Sequence, residues 1–349
     1  MLLNFAFISG GFTIGLCSMD HKGTNGGNGW EFPISDTTCL KLVNGGEIAV
    51  QLTRVLGSAQ EQTGRRPICV VEVEAGTGRG VNINFDDFGP GCRLSCGPEV
   101  SMGELIAWVN LLLPVAETVS LHASAFTWKG EGVVVTGSAG SGKTGALLAA
   151  IHQGSEAVGD ECIWINRNAR MRGLFLEMEI RAAYFGELPH LRSEVSSATG
   201  YRIYLHDLVS RTIRPFLPNL SRKFAGRARA QVQPDIVMRH LAPPGASVNR
   251  LFVSKVHAGP EIRVRPVDIA QVVPQLVEIQ SVEFARQRAQ YARYRDQAES
   301  RQNEWMEGLA QRHNDFFSDA LRNTRTYILE HPPSPRARDL FRALAATWP

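Results

Sequence analysis

Eight consecutive residues, Gly137-Ser138-Ala139-Gly140-Ser141-Gly142-Lys143-Thr144, carry the strongest chemical signal in the sequence. They match G-x-x-x-x-G-K-[ST] and follow a short apolar run, Val133-Val134-Val135-Thr136. An Ala- and Leu-rich stretch from Thr144 to Gln153 comes next. A buried strand running into a glycine loop and then a helix is the context in which this pattern binds phosphate. The glycines let backbone N–H groups close around phosphate oxygens, and the helix N-terminus adds partial positive charge. Lys143 is expected to reach the β- and γ-phosphates and Thr144 Oγ to ligate Mg²⁺. ATP with Mg²⁺ is the expected cofactor pair, and the expected chemistry is movement of a phosphoryl group.

Two further places have the residue types such chemistry needs. Asp160 and Glu161 follow Lys143 by seventeen and eighteen residues, in Ala157-Val158-Gly159-Asp160-Glu161. An apolar strand ending in carboxylates near a P-loop suits a metal ligand, because Mg²⁺ prefers oxygen. It equally suits a base for a hydroxyl nucleophile, or a solvated turn. His122, in Leu121-His122-Ala123-Ser124-Ala125-Phe126, stands on a strand-like run before the P-loop hairpin. Taken alone it reads as a core histidine. Farther on, Arg211, Arg214, Arg222, Lys223, Arg227 and Arg229 fall in a stretch without an acid between Asp207 and Asp235. It is either a solvated basic face or a clamp for phosphoryl oxygens or an acidic peptide.

Taken together, Leu121-His122-Ala123-Ser124-Ala125, the loop Gly137 to Thr144 and Gly159-Asp160-Glu161 resemble the catalytic core shared by HPr kinase/phosphorylase and phosphoenolpyruvate carboxykinases. The likeness covers roughly residues 121 to 165. It implies that His122 lies at the active site, that Asp160 is the base or phosphate-facing acid, and that Glu161 is a metal-side carboxylate. Those families usually carry two aspartates, so Glu161 is a departure. Their downstream E-I-R-G-L-G signature is present only as the fragments Arg172-Gly173-Leu174 and Glu179-Ile180-Arg181. The resemblance implies a kinase: catalytic Asp160, His122 and Lys143, a metal held by Thr144, Asp160 and Glu161, and a hydroxyl acceptor. That acceptor is a peptide, a protein or a small-molecule alcohol. The rival readings are a nucleotide-dependent regulatory protein with little turnover and a carboxykinase-like enzyme.

The elements that must position these residues read as an α/β fold in three parts. Residues 1–115 form a mainly β accessory domain, residues 116–280 the P-loop core on a mixed sheet, and residues 281–349 a helical C-terminal segment. Met1 to Leu16 reads as a strand or hairpin without the basic start of a signal peptide, and Gly23 to Gly29 as loop. Glu47–Val55 and Ile68–Glu74 read as strands rich in β-branched residues. Ser101 and Glu104 make a capping box opening a helix to about Leu113. Val119–Trp128 reads as a strand, Lys129–Gly132 as a turn, and Leu251–Val253 and Glu261–Val264 as strands. Pro243-Pro244-Gly245 marks a loop. Phe284, Tyr291, Ala298 and Trp305, spaced by seven, predict one face of a long helix from Val282 to about Leu329. A last helix lies within Pro335–Trp348.

The chain has 349 residues, 44% hydrophobic and 20% charged, with a net charge of +3. That balance fits a protein with a real core and does not by itself point to nucleic acid; no nucleic-acid module is recognisable. The longest apolar stretch, Leu105–Ala116, is too short to span a bilayer. Six scattered cysteines, with only Cys92 and Cys96 close together, read as reduced thiols of a cytoplasmic protein rather than a zinc site. A homo-oligomer is compatible with all of this.

Overall fold

The computed structural model describes residues 29–56, 65–74, 79–174, 178–188, 197–213, 229–232, 240–243, 245–297 and 301–349, with 191, 216, 217, 219 and 237 between them. The expected strand or hairpin at residues 1–16, the glycine run up to Asn28, Pro244, Ala298 and, in the basic stretch, Arg214, Arg222, Lys223 and Arg227 lie outside the described residues.

The first part is a five-stranded sheet in the order β1-β2-β3-β5-β4. Its strands are β1 (Gly29–Pro33), β2 (Thr38–Val43), β3 (Arg66–Val73), β4 (Val81–Ile83) and β5 (Cys92–Cys96). It is mixed rather than mainly β, because residues 47–55 are not a strand. They belong to helix α1 (Gly46–Leu56), whose buried residues Ile48, Ala49, Leu52, Val55 and Leu56 recur at helical spacing. That period outweighs the β-branched composition. Half of the expected capping box forms: Ser101 Oγ accepts from the Glu104 backbone N–H at 3.2 Å and opens α2 (Met102–Asn110), while the Glu104 carboxylate turns instead to the Val81 N–H and Arg286.

The core sheet runs β10-β9-β6-β7-β13-β15-β14. Its members are β6 (Thr118–Trp128), β7 (Glu131–Gly137), β9 (Cys162–Asn166), β10 (Arg170–Gly173), β13 (Ala246–Val256), β14 (Arg263–Val267) and β15 (Arg325–His331). Strand β8 (Glu156–Gly159) also pairs with β6. The sheet is mixed: β7 and β15 run parallel to β13, while β6 runs antiparallel to β7. Glu131 and Gly132 pair in β7, so the turn shortens to Lys129-Gly130. Alternate side chains enter opposite faces, as a pleated strand requires. Val133, Val135 and Phe252 pack beneath the P-loop helix α3 (Lys143–His152), and Val134, Leu251 and Val253 pack on the other face.

A small pair, β11 (Met178–Arg181) with β12 (Arg229–Val232), adjoins α4 (Ala182–Glu187) and α5 (Ser197–Ile213). The chain then supplies α6 (Ile269–Glu283), α7 (Ala285–Gln297), α8 (Glu304–Glu307), α9 (Leu309–Ala320) and α10 (Ala337–Ala345). The expected single helix from 282 is therefore several shorter ones. Residues 325–331 are not helical at all; they form β15, between β13 and β14. Thr326, Ile328 and Leu329 are buried there, and a slot in a sheet overrides weak local preference. The boundary at 280 falls inside α6, and the last segment is part of the core.

Candidate functional site

The P-loop leaves the end of β7 and enters α3. Gly142 has φ 84°, and a Cβ there would meet Leu340 on α10, so this position takes glycine. Lys143 is buried, and its Nζ donates to the carbonyls of Gly137 and Ser138 at 3.0 and 3.1 Å. The loop is supported by the sheet: Ser254 Oγ on β13 donates to the Ser141 carbonyl at 2.8 Å, and His331 Nε2 on β15 lies 2.9 Å from Ser254 Oγ. Ser141 Oγ is itself buried with no hydrogen-bond partner among the described residues.

The acidic pair sits between β8 and β9. Gly173 on β10 packs so closely on Val158 and Gly159 that a Cβ at 173 would meet the Val158 carbonyl. Asp160 is buried and accepts from Ser124 Oγ at Oδ1 and from Thr144 Oγ1 at Oδ2, the latter at 2.9 Å. Glu161 adopts φ 65°, uncommon for a residue with a side chain, which holds it in a conformation the surroundings must impose. His122 is the link. Its backbone N–H donates to Gln280 Oε1 at 3.0 Å, and its Nδ1 lies 3.2 Å from the Glu161 carbonyl and 3.4 Å from Glu161 Oε2. Its Nε2 lies 3.6 Å from Glu283 Oε1 at the end of α6.

Burial shapes the charges here. It pushes the His122 imidazole down to about 4, with the Lys143 ammonium acting in the same direction, so the ring is neutral near pH 7. It pushes Glu161 up to about 7, helped by the negative Asp160 beside it. Burial also raises Asp160, opposed by the hydrogen bonds from Ser124 and Thr144 and by Lys143. Glu283 is raised by burial as well. Lys143 is lowered by burial, while Glu161, Asp160 and Glu283 counteract this.

A cleft of about 190 Å³ opens beside this group, walled by α2, β6 and the end of α6. Glu161, His122 and Glu283 line it; Asp160 does not. Thus all the expected residues, His122, Lys143, Thr144, Asp160 and Glu161, come together, but the two acids face different surroundings. Among the described residues no three His, Cys, Asp or Glu groups form a cage that could hold a metal. Cys92 and Cys96 are free and buried, with thiols raised by desolvation.

Besides Ser254 and His331, four contributors escaped the sequence reading. Ser124 is two residues from His122 and therefore on the same strand face, a signal that was available. Glu283 and Gln280 share a helix face by their spacing, but nothing local ties them to a P-loop. Arg181, in the fragment Glu179-Ile180-Arg181, lies on β11 near enough for its charge to act on Lys143. In comparison with known proteins, no family model and no curated sequence matches the chain.

Proposed function

We propose that the chain is an ATP- and Mg²⁺-dependent phosphotransferase of the HPr-kinase-like type, acting on a hydroxyl acceptor. The observation that carries this reading is the hydrogen bond of Thr144 Oγ1 to Asp160 Oδ2. It joins the P-loop hydroxyl to a carboxylate, while the neighbouring Glu161 faces an open cleft. The donor set fits the expected group. Mg²⁺ in nucleotide sites uses one or two carboxylates and phosphate oxygens rather than an all-protein cage. The glycine loop and the unpaired Ser141 Oγ fit a phosphate ligand.

The geometry favours a division of labour opposite to the one the resemblance implies. Asp160, held by Thr144 and Ser124 and away from the cleft, is the metal-side acid. Glu161, raised to about 7 and lining the cleft, is the general base; a base works best with a pKa near the operating pH. Bound ATP–Mg²⁺ would supply the phosphoryl group and neutralise developing charge. Lys143, whose ammonium rests on the loop carbonyls, would hold phosphate oxygens. Glu161 would take the proton of the acceptor hydroxyl, whose oxygen replaces the ADP oxygen on phosphorus, and ADP would leave with the electrons of the broken bond. His122, neutral, orients Glu161.

Calorimetry with ATP–Mg²⁺ on the wild type and on Lys143→Ala tests the nucleotide half of the reading. Loss of a charge-assisted hydrogen-bond donor should weaken binding by at least about ten-fold. Unchanged affinity would sink the proposal. Transfer of γ-label to small molecules, peptides or proteins tests the other half; tight binding with no labelled product would favour the regulatory alternative.

A further inference from the structure

The cleft beside Glu161 has a size and a charge. Its volume of about 190 Å³ corresponds to roughly six waters at ~30 Å³ each, below the ~300–1,000 Å³ of sites for drug-sized ligands. It suits a small molecule rather than a peptide segment. Two carboxylates line it, Glu161 and Glu283, and among the described residues no lysine or arginine does.

Most of the other polar groups on its walls are already engaged. Gln280 Nε2 donates to Ser120 Oγ at 3.0 Å, and Gln280 Oε1 accepts from the His122 backbone. Asn110 Nδ2 donates to Cys162 Sγ at 3.5 Å, and Asn110 Oδ1 accepts from Trp164 Nε1 at 2.9 Å. Glu283 differs. Its neighbour is the His122 imidazole at 3.6 Å, beyond hydrogen-bond range. Lys143 acts on it only at a distance, with its ammonium held by the P-loop carbonyls. Arg286, on the next turn, pairs with Glu104 at 3.2 Å. Glu283 also ends α6, where the helix dipole is negative.

Glu161 and Glu283 approach the two nitrogens of the His122 ring, at 3.4 and 3.6 Å, and both line the cleft, so a single small molecule can meet both. We propose that the cleft is the acceptor subsite and that it selects a small amino alcohol, with the hydroxyl directed to Glu161 and the ammonium seated at Glu283. This rests on the phosphotransferase reading above. Anionic hydroxy acids are excluded by the same two carboxylates, and neutral polyols lack the charged contact.

The test uses three probes of one skeleton: serinol (2-amino-1,3-propanediol), glycerol and glycerate. Binding to the full chain with ADP–Mg²⁺ present is followed by ligand-observed NMR, and transfer by γ-labelled ATP. Serinol should bind best, by about ten-fold over glycerol, with glycerate weakest. Glu283→Gln should erase that preference while leaving ADP affinity unchanged, and Glu283→Lys should turn it toward glycerate. Glycerol or glycerate binding as well as serinol, a preference that survives Glu283→Gln, or no binding of any probe overturns the inference. Glu283-dependent serinol binding without label transfer supports the subsite and removes the phosphotransferase reading. Transfer to glycerol or glycerate irrespective of Glu283 does the reverse.

Discussion

Asp160 and Glu161 are adjacent in sequence, yet one is hydrogen-bonded to the P-loop and the other faces the cleft. Their substitutions should therefore fail differently. Glu161→Gln is expected to lower turnover about 10²–10⁴-fold at every Mg²⁺ concentration, with ATP affinity retained. Asp160→Asn should recover in part as Mg²⁺ is raised. A Mg²⁺ titration of both variants decides, and the opposite pattern returns the base role to Asp160. The pH profile is a separate check. A base must be deprotonated to act, and Glu161 is raised to about 7. Wild-type kcat/KM should rise with pH through that value and level off above it. Glu161→Gln should lack this limb; a wild-type profile already flat below pH ~6 would exclude Glu161 as the base.

Helix α10 shows how one element supports another. Ala337, Leu340, Phe341 and Leu344 are buried at helical spacing and pack against α3, and Leu340 also backs Gly142. Truncating Leu340 to alanine should cost about 2–5 kcal/mol in urea unfolding, the usual range for a buried leucine. Because the same side chain backs the P-loop, ATP affinity of the folded variant should fall as well. An unfolding loss with ATP affinity untouched would mean that α10 stabilises the fold without shaping the loop. Elements also mark where local reading fails. In residues 47–55 composition pointed to a strand and burial period to a helix, and burial prevailed.

Across the whole molecule, the helices after β14 pack both on the core sheet and on the first sheet. Asn303 Nδ2 donates to the carbonyls of Phe85 and Phe88, each at 2.8 Å, and α9 packs on α6. His313 on α9 is buried between Phe284 and Phe317, and burial lowers it to about 4 from 6.5. The folded state thus refuses a proton that the unfolded chain accepts below about 6.5. Stability is unaffected above that pH and declines as pH falls toward 4, by about 3 kcal/mol from this group. His122 acts in the same direction, while the raised Glu161 and Glu283 act in the opposite one. The measurement is therefore the difference between the wild type and His313→Phe in unfolding free energy from neutral pH to pH ~4. His313→Phe should lose less stability on acidification; equal losses would show that His313 is not the buried neutral group described. Among the described residues no helix is long and apolar enough to cross a membrane.

Within the chain, what is local was legible. The P-loop needs only eight residues with their own backbone preferences, the strand before them and the helix after. The N-cap at Ser101 and the strand Thr118–Trp128 are likewise short-range. The acidic pair was visible because it directly follows β8, the next strand after α3, and His122 because it lies on β6, the strand before β7. That the two acids face different surroundings was not visible: it depends on Ser124 and Thr144 closing on the Asp160 carboxylate and leaving Glu161 to the cleft. Glu283 and Gln280 arrive from more than 100 residues away, through packing of α6 against β6. Ser254 and His331 arrive under the P-loop by the register of β13 with β7 and β15. Register and packing are set by the whole core at once, because burying one face of each strand against its neighbours fixes its place more strongly than its own residues do.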